Sequence, residues 1–123
     1  MSDLKREVLI PEARIQERIR ELGARIDADY PAGAVYLVAI LKGACYFLAD
    51  LSRAITRPVR LDFIGISSYG KGKQSSGEVK LTKDLDTSIE GFDVILVEDI
   101  IDSGVTLSYL THVLEQRKPR SLR

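Results

Sequence analysis

The chain alternates between two hydrophobic patterns, one with the period of a helix and one typical of buried strands. After Pro11, apolar residues at intervals of four, three and four positions predict a helix with one apolar face, formed by Ile15, Ile19, Leu22 and Ile26. Gly23 weakens helix propensity inside this pattern, so we expect the helix to end before Ile26. Residues 35–41 are apolar almost throughout and precede a Lys-Gly pair, which is typical of a strand buried on both faces of a parallel sheet.

The middle of the chain continues this alternation. Residues 44–55 predict a second helix, whose inward face is formed by Phe47, Leu48, Leu51 and Ile55. Residues 59–66 begin as a strict alternation of apolar and polar positions, which predicts a strand near a sheet edge. Residues 67–77 contain three glycines, four serines and two lysines, and we expect a mobile loop there.

The last third of the chain repeats the strand and helix patterns. Residues 78–82 predict a short strand, and residues 93–97 predict a second fully buried one. A helix is expected over residues 106–117, with one face formed by Leu107, Leu110, Val113 and Leu114. Strands that alternate with helices predict an α/β fold, with a parallel sheet flanked by helices in one domain over residues 1–123. Ligands of such sheets bind beyond the carboxyl ends of the strands.

Composition and charge exclude several classes of function. Lysine plus arginine and aspartate plus glutamate number 18 each, so no overall field attracts nucleic acid. No apolar run approaches the roughly 20 residues that cross a membrane. The single cysteine, Cys45, cannot form an intramolecular disulfide, which favours a reducing compartment and a cytoplasmic protein.

Two adjacent carboxylates, Glu98 and Asp99, follow the buried strand predicted at residues 93–97. Such carboxylates are costly at the end of a buried strand unless they are solvated, paired or bound to a cation. Neighbouring side chains point to opposite faces of a strand, so the two acids are able to reach two sides of one ligand, such as ribose hydroxyls and a hydrated Mg²⁺. Mg²⁺ favours one or two carboxylates together with water and phosphate oxygens.

Five residues at the start of the last predicted helix favour an anion site: Asp102, Ser103, Gly104, Val105 and Thr106. Glycine adopts backbone angles that are closed to other residues. Successive N–H groups, two hydroxyls and a helix N-terminus together suit a phosphate monoester. In the alternative interpretation, Asp102 or Ser103 only caps the helix and the acids are a solvated strand end. The complete string from Val97 to Thr106 favours the phosphate site.

Other residues with chemical potential carry less weight. The glycine- and lysine-rich stretch at residues 70–73 lacks the GxxxxGK[ST] spacing of a nucleotide loop. Cys45 is expected to be a buried, unreactive residue in preference to a thiol activated by a helix N-terminus. Tyr46 is expected in the core or in a subunit contact. His112 lies opposite the apolar face of its helix and is expected to face solvent.

The string from Val97 to Thr106 resembles the phosphoribosyl-pyrophosphate motif of the type I phosphoribosyltransferases. Leu41-Lys42-Gly43 is similar to the pyrophosphate loop of the hypoxanthine-guanine phosphoribosyltransferases. Residues 67–70 are similar to the start of their flexible catalytic loop. The resemblance extends from Val8 to Arg123, and it implies a type I phosphoribosyltransferase-like sheet.

The resemblance also implies an activity and its partners. The family transfers phosphoribosyl from phosphoribosyl pyrophosphate to hypoxanthine or guanine, giving IMP or GMP and pyrophosphate in purine salvage. Members are commonly homo-oligomers and use Mg²⁺. By resemblance, Glu98 and Asp99 bind the ribose hydroxyls directly or through Mg²⁺, and Asp102 is the general base near N7 of the purine.

The remaining roles follow in the same way from the resemblance. The 5′-phosphate is wrapped by Asp102, Ser103, Gly104, Val105 and Thr106. Pyrophosphate is held by Lys42 and Gly43, and the Leu41–Lys42 peptide bond is expected to be cis. Ser68 and Tyr69 are expected to close over the site.

Members of the family continue well past the position of Arg123. The later part supplies the C-terminal strands and the base-binding part, so we expect this chain to carry mainly the phosphoribosyl half of the site. Ser121-Leu122-Arg123 resembles the first step of the next strand. We expect either that the polypeptide continues or that the chain self-associates to cover the open side of the strand at 93–97.

Two other classes of protein compete with the enzyme. A regulator with this fold would sense nucleotides and bind nucleic acid, but the neutral charge and the absence of a helix-turn-helix count against it. A response-regulator-like receiver needs its acidic pair after the first strand, whereas here the pair follows the last full strand. The enzyme is therefore the favoured interpretation.

Overall fold

The computed structural model of the protein describes residues 7–68, 79–98 and 104–123. These residues form three helices and five strands. In chain order they are α1 (Glu12–Asp29), β1 (Val35–Ile40), α2 (Cys45–Ala54), β2 (Val59–Ser68), β3 (Val79–Lys83), β4 (Asp93–Val97), α3 (Val105–Glu115) and β5 (Ser121–Leu122). None of these helices is long and apolar enough to cross a membrane.

The five strands form one sheet in the order β3-β2-β1-β4-β5. β1 is parallel to both β2 and β4, and β5 is parallel to β4. β3 is antiparallel to β2, so the sheet that was expected to be parallel is mixed, with one antiparallel edge strand. A parallel connection needs a crossover of a dozen or more residues, usually a helix, whereas only residues 69–78 link β2 to β3. The predicted α/β class and the flanking helices are confirmed.

The sheet divides the core into two layers. The layer under α1 and α2 contains Ile19, Val35, Leu37, Ala39, Leu48 and Leu51. The layer under α3 contains Tyr36, Val38, Ile40, Val94, Leu110 and Leu114. Every residue of β1 is buried, because alternate side chains enter opposite layers, which confirms the strand predicted from the apolar run.

β2 is longer than the sequence pattern indicates. Ser67 and Ser68 belong to this strand and pair with Lys80 and Val79 of β3, so the loop expected from residue 67 cannot begin before residue 69. The later residues of that loop lie outside the described residues. The pairing of these serines shows that a polar composition does not prevent a strand when a second strand satisfies its backbone groups.

α1 continues through Gly23 to Asp29, so the expectation that it ends before Ile26 is wrong. Gly23 is buried against α2, where an added Cβ would lie 2.4 Å from the carbonyl oxygen of Ala54 and 2.7 Å from its carbonyl carbon. The glycine therefore allows the two helices to approach more closely than a side chain would permit. Helix propensity is a property of the local sequence and gives no information about contacts with Ala54. For this reason Gly23 wrongly suggested that the helix ends early.

We expect Gly23→Ala to destabilise the protein by about 1–3 kcal/mol, because the methyl group would force the backbones of α1 and α2 apart. Helix propensity alone would favour alanine by about 1 kcal/mol, so the two effects have opposite signs. Urea unfolding followed by circular dichroism measures the difference. Ala24→Gly at an exposed position of α1 is the control for propensity. A stability gain in Gly23→Ala would contradict the close contact.

β5 is fixed beside β4 by a buried carboxylate. Asp93 accepts hydrogen bonds from Arg120 Nε at 3.1 Å and from Ser121 Oγ at 2.7 Å. Hydrogen bonds from Arg120 lower the pKa of Asp93, and their effect exceeds that of burial, which raises it. The backbone ladder reaches Arg123, whose N–H donates to Val94 and whose carbonyl accepts from Leu96. The prediction that residues 121–123 begin the next strand is confirmed.

Candidate functional site

Three segments that the sequence singled out lie at the ends of neighbouring strands of the sheet. Lys42 and Gly43 follow β1, Ser68 ends β2, and Glu98 follows β4. β2, β1 and β4 are adjacent and parallel, so all three run towards the same edge of the sheet. The structure therefore places Lys42, Gly43 and Glu98 at the edge where ligands of open α/β sheets bind, whereas Ser68 lies four positions beyond Ile64, the last residue of β2 that pairs with β1.

The N-terminus of α3 lies beyond β4, and Gly104 is its N-cap. The φ angle of Gly104 is +86°, which is the left-handed region that favours glycine. Its carbonyl accepts the N–H of Ser108 at 2.9 Å, so the helix is hydrogen-bonded from its start. The first turn of α3, around Val105 and Thr106, is a helix N-terminus, and the dipole of a helix favours an anion at this end.

The remaining site residues of the predicted motif lie outside the described residues. They are Tyr69, Asp99, Asp102 and Ser103. Their expected roles, including the general base assigned to Asp102, stay predictions. The structure nevertheless gives the two ends of the motif, because Glu98 follows β4 directly and Gly104 begins α3.

The segment that follows β1 has the expected backbone. The Leu41–Lys42 peptide bond is cis, which confirms the prediction made from the family resemblance. Lys42 and Gly43 are exposed, and α2 begins directly after them with Ala44 as its N-cap. An exposed lysine before a helix N-terminus suits a negatively charged group.

Glu98 is half-buried and lines a cavity of about 290 Å³ on the side of the sheet covered by α1 and α2. Val97 and Arg123 line the same cavity. Within the described residues, no group of three or more histidine, cysteine, aspartate or glutamate side chains is arranged to hold a metal. The metal ligands predicted from the sequence are Glu98 and Asp99. Because Asp99 lies outside the described residues, this pair stays a prediction.

The structure contradicts the expectation for Cys45 in the first turn of α2 and one of the two alternatives for Tyr46. Cys45 is exposed, so the expectation of a buried thiol is wrong. Tyr46 is 85% exposed, so it does not belong to the core, and a subunit contact stays a prediction for it. Both residues belong to the first helical turn, where the inward positions are taken instead by Phe47 and Leu48. His112 is exposed as expected.

A buried polar cluster below this edge has no counterpart in the sequence analysis. Asp62 of β2 is 5% exposed and accepts hydrogen bonds from the Tyr36 hydroxyl at 3.1 Å and from the backbone N–H of Asp86 at 2.8 Å. The same Tyr36 hydroxyl contacts Thr87 Oγ1. Lys83 Nζ lies 3.7 Å from Asp62 Oδ1. The detectable signal in the sequence was Asp62 itself, the one acid in a strand pattern that begins by alternating apolar and polar residues.

The carboxylate of Asp62 is stabilised in its charged form. Burial raises the pKa of Asp62. Hydrogen bonds from the backbone N–H groups of Phe63 and Asp86 and from the Tyr36 hydroxyl lower this pKa, as does the positive charge of Lys83, and together they outweigh burial. The net pKa therefore lies below the ordinary value for aspartate. A buried charge of this kind holds neighbouring segments in place only while its donors remain.

Comparison with known proteins decides the family. The phosphoribosyl transferase domain matches residues 11–123, which is nearly the whole chain. This chain belongs to the phosphoribosyltransferase family. The matched residues include β4, Glu98 and the N-terminus of α3.

Relatives within the phosphoribosyltransferase family confirm the resemblance to its hypoxanthine-guanine members. The hypoxanthine-guanine phosphoribosyltransferase of Bacillus subtilis is 48% identical over 116 residues, which cover 94% of this chain and 64% of that protein. The enzyme of that name from Mycobacterium tuberculosis is 48% identical over 122 residues, covering 94% of this chain and 60% of that protein. The chain thus spans somewhat less than two thirds of these relatives.

Solved structures agree with the phosphoribosyltransferase assignment. A hypoxanthine-guanine phosphoribosyltransferase from Bacillus anthracis superposes with a TM-score of 0.90 at 44% identity, covering 96% of this chain and 70% of that one. A Trypanosoma cruzi hypoxanthine phosphoribosyl transferase gives 0.90 at 41% identity, covering 100% and 68%. These proteins are named as enzymes, so the alternative of a nucleic-acid-binding regulator receives no support.

Proposed function

We propose that the whole protein is a hypoxanthine-guanine phosphoribosyltransferase that acts in purine salvage. It would transfer phosphoribosyl from phosphoribosyl pyrophosphate to hypoxanthine or guanine and release pyrophosphate. The observation that carries this proposal is the arrangement at the carboxyl edge, where Glu98, the left-handed Gly104 and the N-terminus of α3 follow β4. β4 is buried at three of its five residues and partly buried at Ile95 and Leu96, so the expectation of a fully buried strand is wrong there. The names of the relatives support the choice of reaction.

The charges of the reaction explain what the proposed site has to do. Substitution at the anomeric carbon develops positive charge on the ribose and negative charge on the leaving pyrophosphate. In our proposal, Lys42 and Gly43 bind the pyrophosphate, and Ser68 with Tyr69 closes over the reacting atoms. The 5′-phosphate is bound by Asp102, Ser103, Gly104, Val105 and Thr106. Backbone N–H groups at the start of α3 would favour that anion without moving during the reaction.

Glu98 and Asp99 are the proposed ligands of the ribose hydroxyls and of Mg²⁺. The half-buried carboxylate of Glu98 at the carboxyl edge fits a hard cation, which prefers oxygen ligands. A bound Mg²⁺ would offset the repulsion between these acids and the pyrophosphate of the donor. Asp102 is the proposed general base for N7 of the purine.

Partners of the whole protein are also proposals. The Trypanosoma cruzi enzyme was solved in work on the role of its C-terminal region in oligomeric state and enzymatic activity. By analogy, we propose that the present protein is a homo-oligomer and that sequence beyond the position of Arg123 contributes to purine binding. A cytoplasmic location is proposed from the same relatives.

The proposal is tested by a nucleotide-formation assay with hypoxanthine, guanine, xanthine and adenine as acceptors. We expect IMP and GMP to form in a version extended at its C-terminus to the length of the relatives, and the 123-residue chain is assayed beside it. Product formation should require both phosphoribosyl pyrophosphate and Mg²⁺.

A calorimetric titration of phosphoribosyl pyrophosphate, with and without EDTA, separates donor binding from catalysis. Donor binding by the short chain without turnover would support the view that it carries the phosphoribosyl half of the site. An extended protein that folds but neither binds the donor nor forms any nucleotide would overturn the proposed function.

A further inference from the structure

Lys83 occupies an unusual position at the base of the β2–β3 arm, which we define as Gly65–Ser68 of β2 together with residues 79–83 of β3. Its Nζ donates to the carbonyl oxygens of Phe63 at 3.2 Å and Asp84 at 2.9 Å. The same ammonium group lies 3.4 Å from Asp86 Oδ1. Together with its contact to Asp62, Lys83 joins β2, the end of β3 and the segment that follows it.

The arm is packed tightly at the same place. A Cβ at Gly65 would lie 2.8 Å from Thr82 Oγ1 and 3.2 Å from Lys83 Cβ, so the two strands are closer here than side chains normally allow. The register shifts between Gly65 and Ile66: Gly65 pairs with Lys83 and Ile66 pairs with Leu81, so Thr82 has no partner in the register. Such a bulge changes the direction of a strand pair and increases its local twist. The base of the arm therefore sets the direction in which its far end extends.

Ser68 lies at the far end of the arm, where it pairs with Val79. Ser68 is three positions after Gly65, which is a distance of about 10 Å along a strand. A tilt of about 10° at the base would move the far end by nearly 2 Å, on the same strand geometry. A displacement of about 1 Å is enough to cost roughly 10²-fold in a reaction that depends on positioning.

We propose that Lys83 is a positioning residue for Ser68, acting through the base of the β2–β3 arm. The proposal rests on the function proposed above, in which Ser68 closes over the reacting atoms. Lys83 pairs with Gly65 at the base of the arm, three residue pairs from the pair of Ser68 with Val79. Within the described residues, Lys83 contacts no part of the proposed site. It acts by holding the carbonyl of Phe63 and the carboxylate of Asp62, both on β2, to the end of β3.

Lys83→Met tests this role, because methionine keeps the length of the side chain and removes its charge and its donors. Amide hydrogen exchange at residues 66–68 and 79–81 should be at least about 10-fold faster in this variant, relative to exchange in β1. In the version that is active in nucleotide formation, kcat should fall by about 10-fold or more, with little change in the KM for the purine. Lys83→Arg, which retains a cation and donors, should restore most of both properties.

Tyr36→Phe is the matched control. It removes the hydroxyl that binds Asp62 and Thr87 and leaves the bonds of Lys83 intact, so it weakens the same buried cluster on its other side. A general loss of stability would affect both variants alike, whereas the positioning role predicts faster exchange in the arm only for Lys83→Met.

The two proposals fail in distinguishable ways. Hydrogen exchange needs no substrate, so it tests the hold of Lys83 on the arm even if the protein forms no nucleotide. Equal exchange in the arm for Lys83→Met and Tyr36→Phe would overturn the positioning role. An unchanged kcat in a Lys83→Met enzyme whose chemical step is shown to limit the rate would overturn it as well.

Discussion

Replacing Asp102 by asparagine is expected to slow nucleotide formation by about 10²–10⁴-fold, which is the usual contribution of a positioned general base. Asparagine has nearly the same shape but no longer takes up a proton at neutral pH. The binding of phosphoribosyl pyrophosphate should change little, because the phosphate-binding N–H groups belong to the backbone at the start of α3. Single-turnover kinetics in the extended protein measures the chemical step, and calorimetry measures binding.

Glu17→Gln is a suitable control, because Glu17 is an exposed residue of α1 and the substitution likewise replaces a carboxylate by an amide of nearly the same shape. Its rate should match that of the unmodified protein. If Asp102→Asn retains full single-turnover activity, another group must accept the proton from the purine, and the role carried over from the family does not apply.

Asp62→Ala is expected to lower the free energy of unfolding by about 3 kcal/mol. The substitution would leave the backbone N–H of Asp86 without its buried acceptor and Lys83 without its least exposed partner, and unmatched buried groups cost about this much in sum. Urea unfolding monitored by circular dichroism gives the value. Asp86→Ala is the control, because this carboxylate is 77% exposed and its loss should cost less than about 1 kcal/mol. Equal losses in the two variants would contradict the importance of burial at Asp62.

The pH dependence of stability provides a second measurement on Asp62. Its pKa in the folded protein lies below the ordinary value, because the donated hydrogen bonds outweigh the effect of burial. The stabilisation is therefore present above the pKa of the unfolded chain, about 3.9, and is lost as the pH falls towards the folded pKa. Asp62→Asn, which does not titrate, should show a smaller loss of stability below about pH 4 than the unmodified protein.

Much of the fold could be predicted from the sequence because burial leaves a direct trace in it. The apolar run at Val35–Ile40 and the spacing of Leu48 and Leu51 report which faces are covered, and both agree with the structure. Gly23 misled the prediction, since helix propensity is local while the space beside Gly23 is set by Ala54, a residue of another helix. The antiparallel direction of β3 was predictable from the short link before it, but the strand pattern alone carries no direction.

The candidate site was predicted as a motif, and its roles came from family resemblance. Strand and helix patterns place Glu98 and Gly104 at the carboxyl edge, which the structure shows directly. The importance of Lys83 and Asp62 could not be found in this way, because the contacts that define it join residues 20 or more positions apart in the chain, such as Lys83 with Phe63. Exposure of Cys45 was missed for a related reason, since the helical pattern does not show where the first turn faces.

We expect the side chains of Asp62 and Lys83 also to limit aggregation of the protein through the edge of β2. The carbonyl of Ile64 points towards β1, so the N–H and carbonyl of the preceding Phe63 point the other way, beyond the strand. The Phe63 N–H donates to Asp62 Oδ1 at 2.8 Å, and its carbonyl accepts from Lys83 Nζ. Both groups are therefore unavailable to a foreign strand. A charged pair placed across an otherwise receptive backbone is a barrier to aggregation, so substitutions here would promote fibrillar or amorphous assembly as well as unfolding.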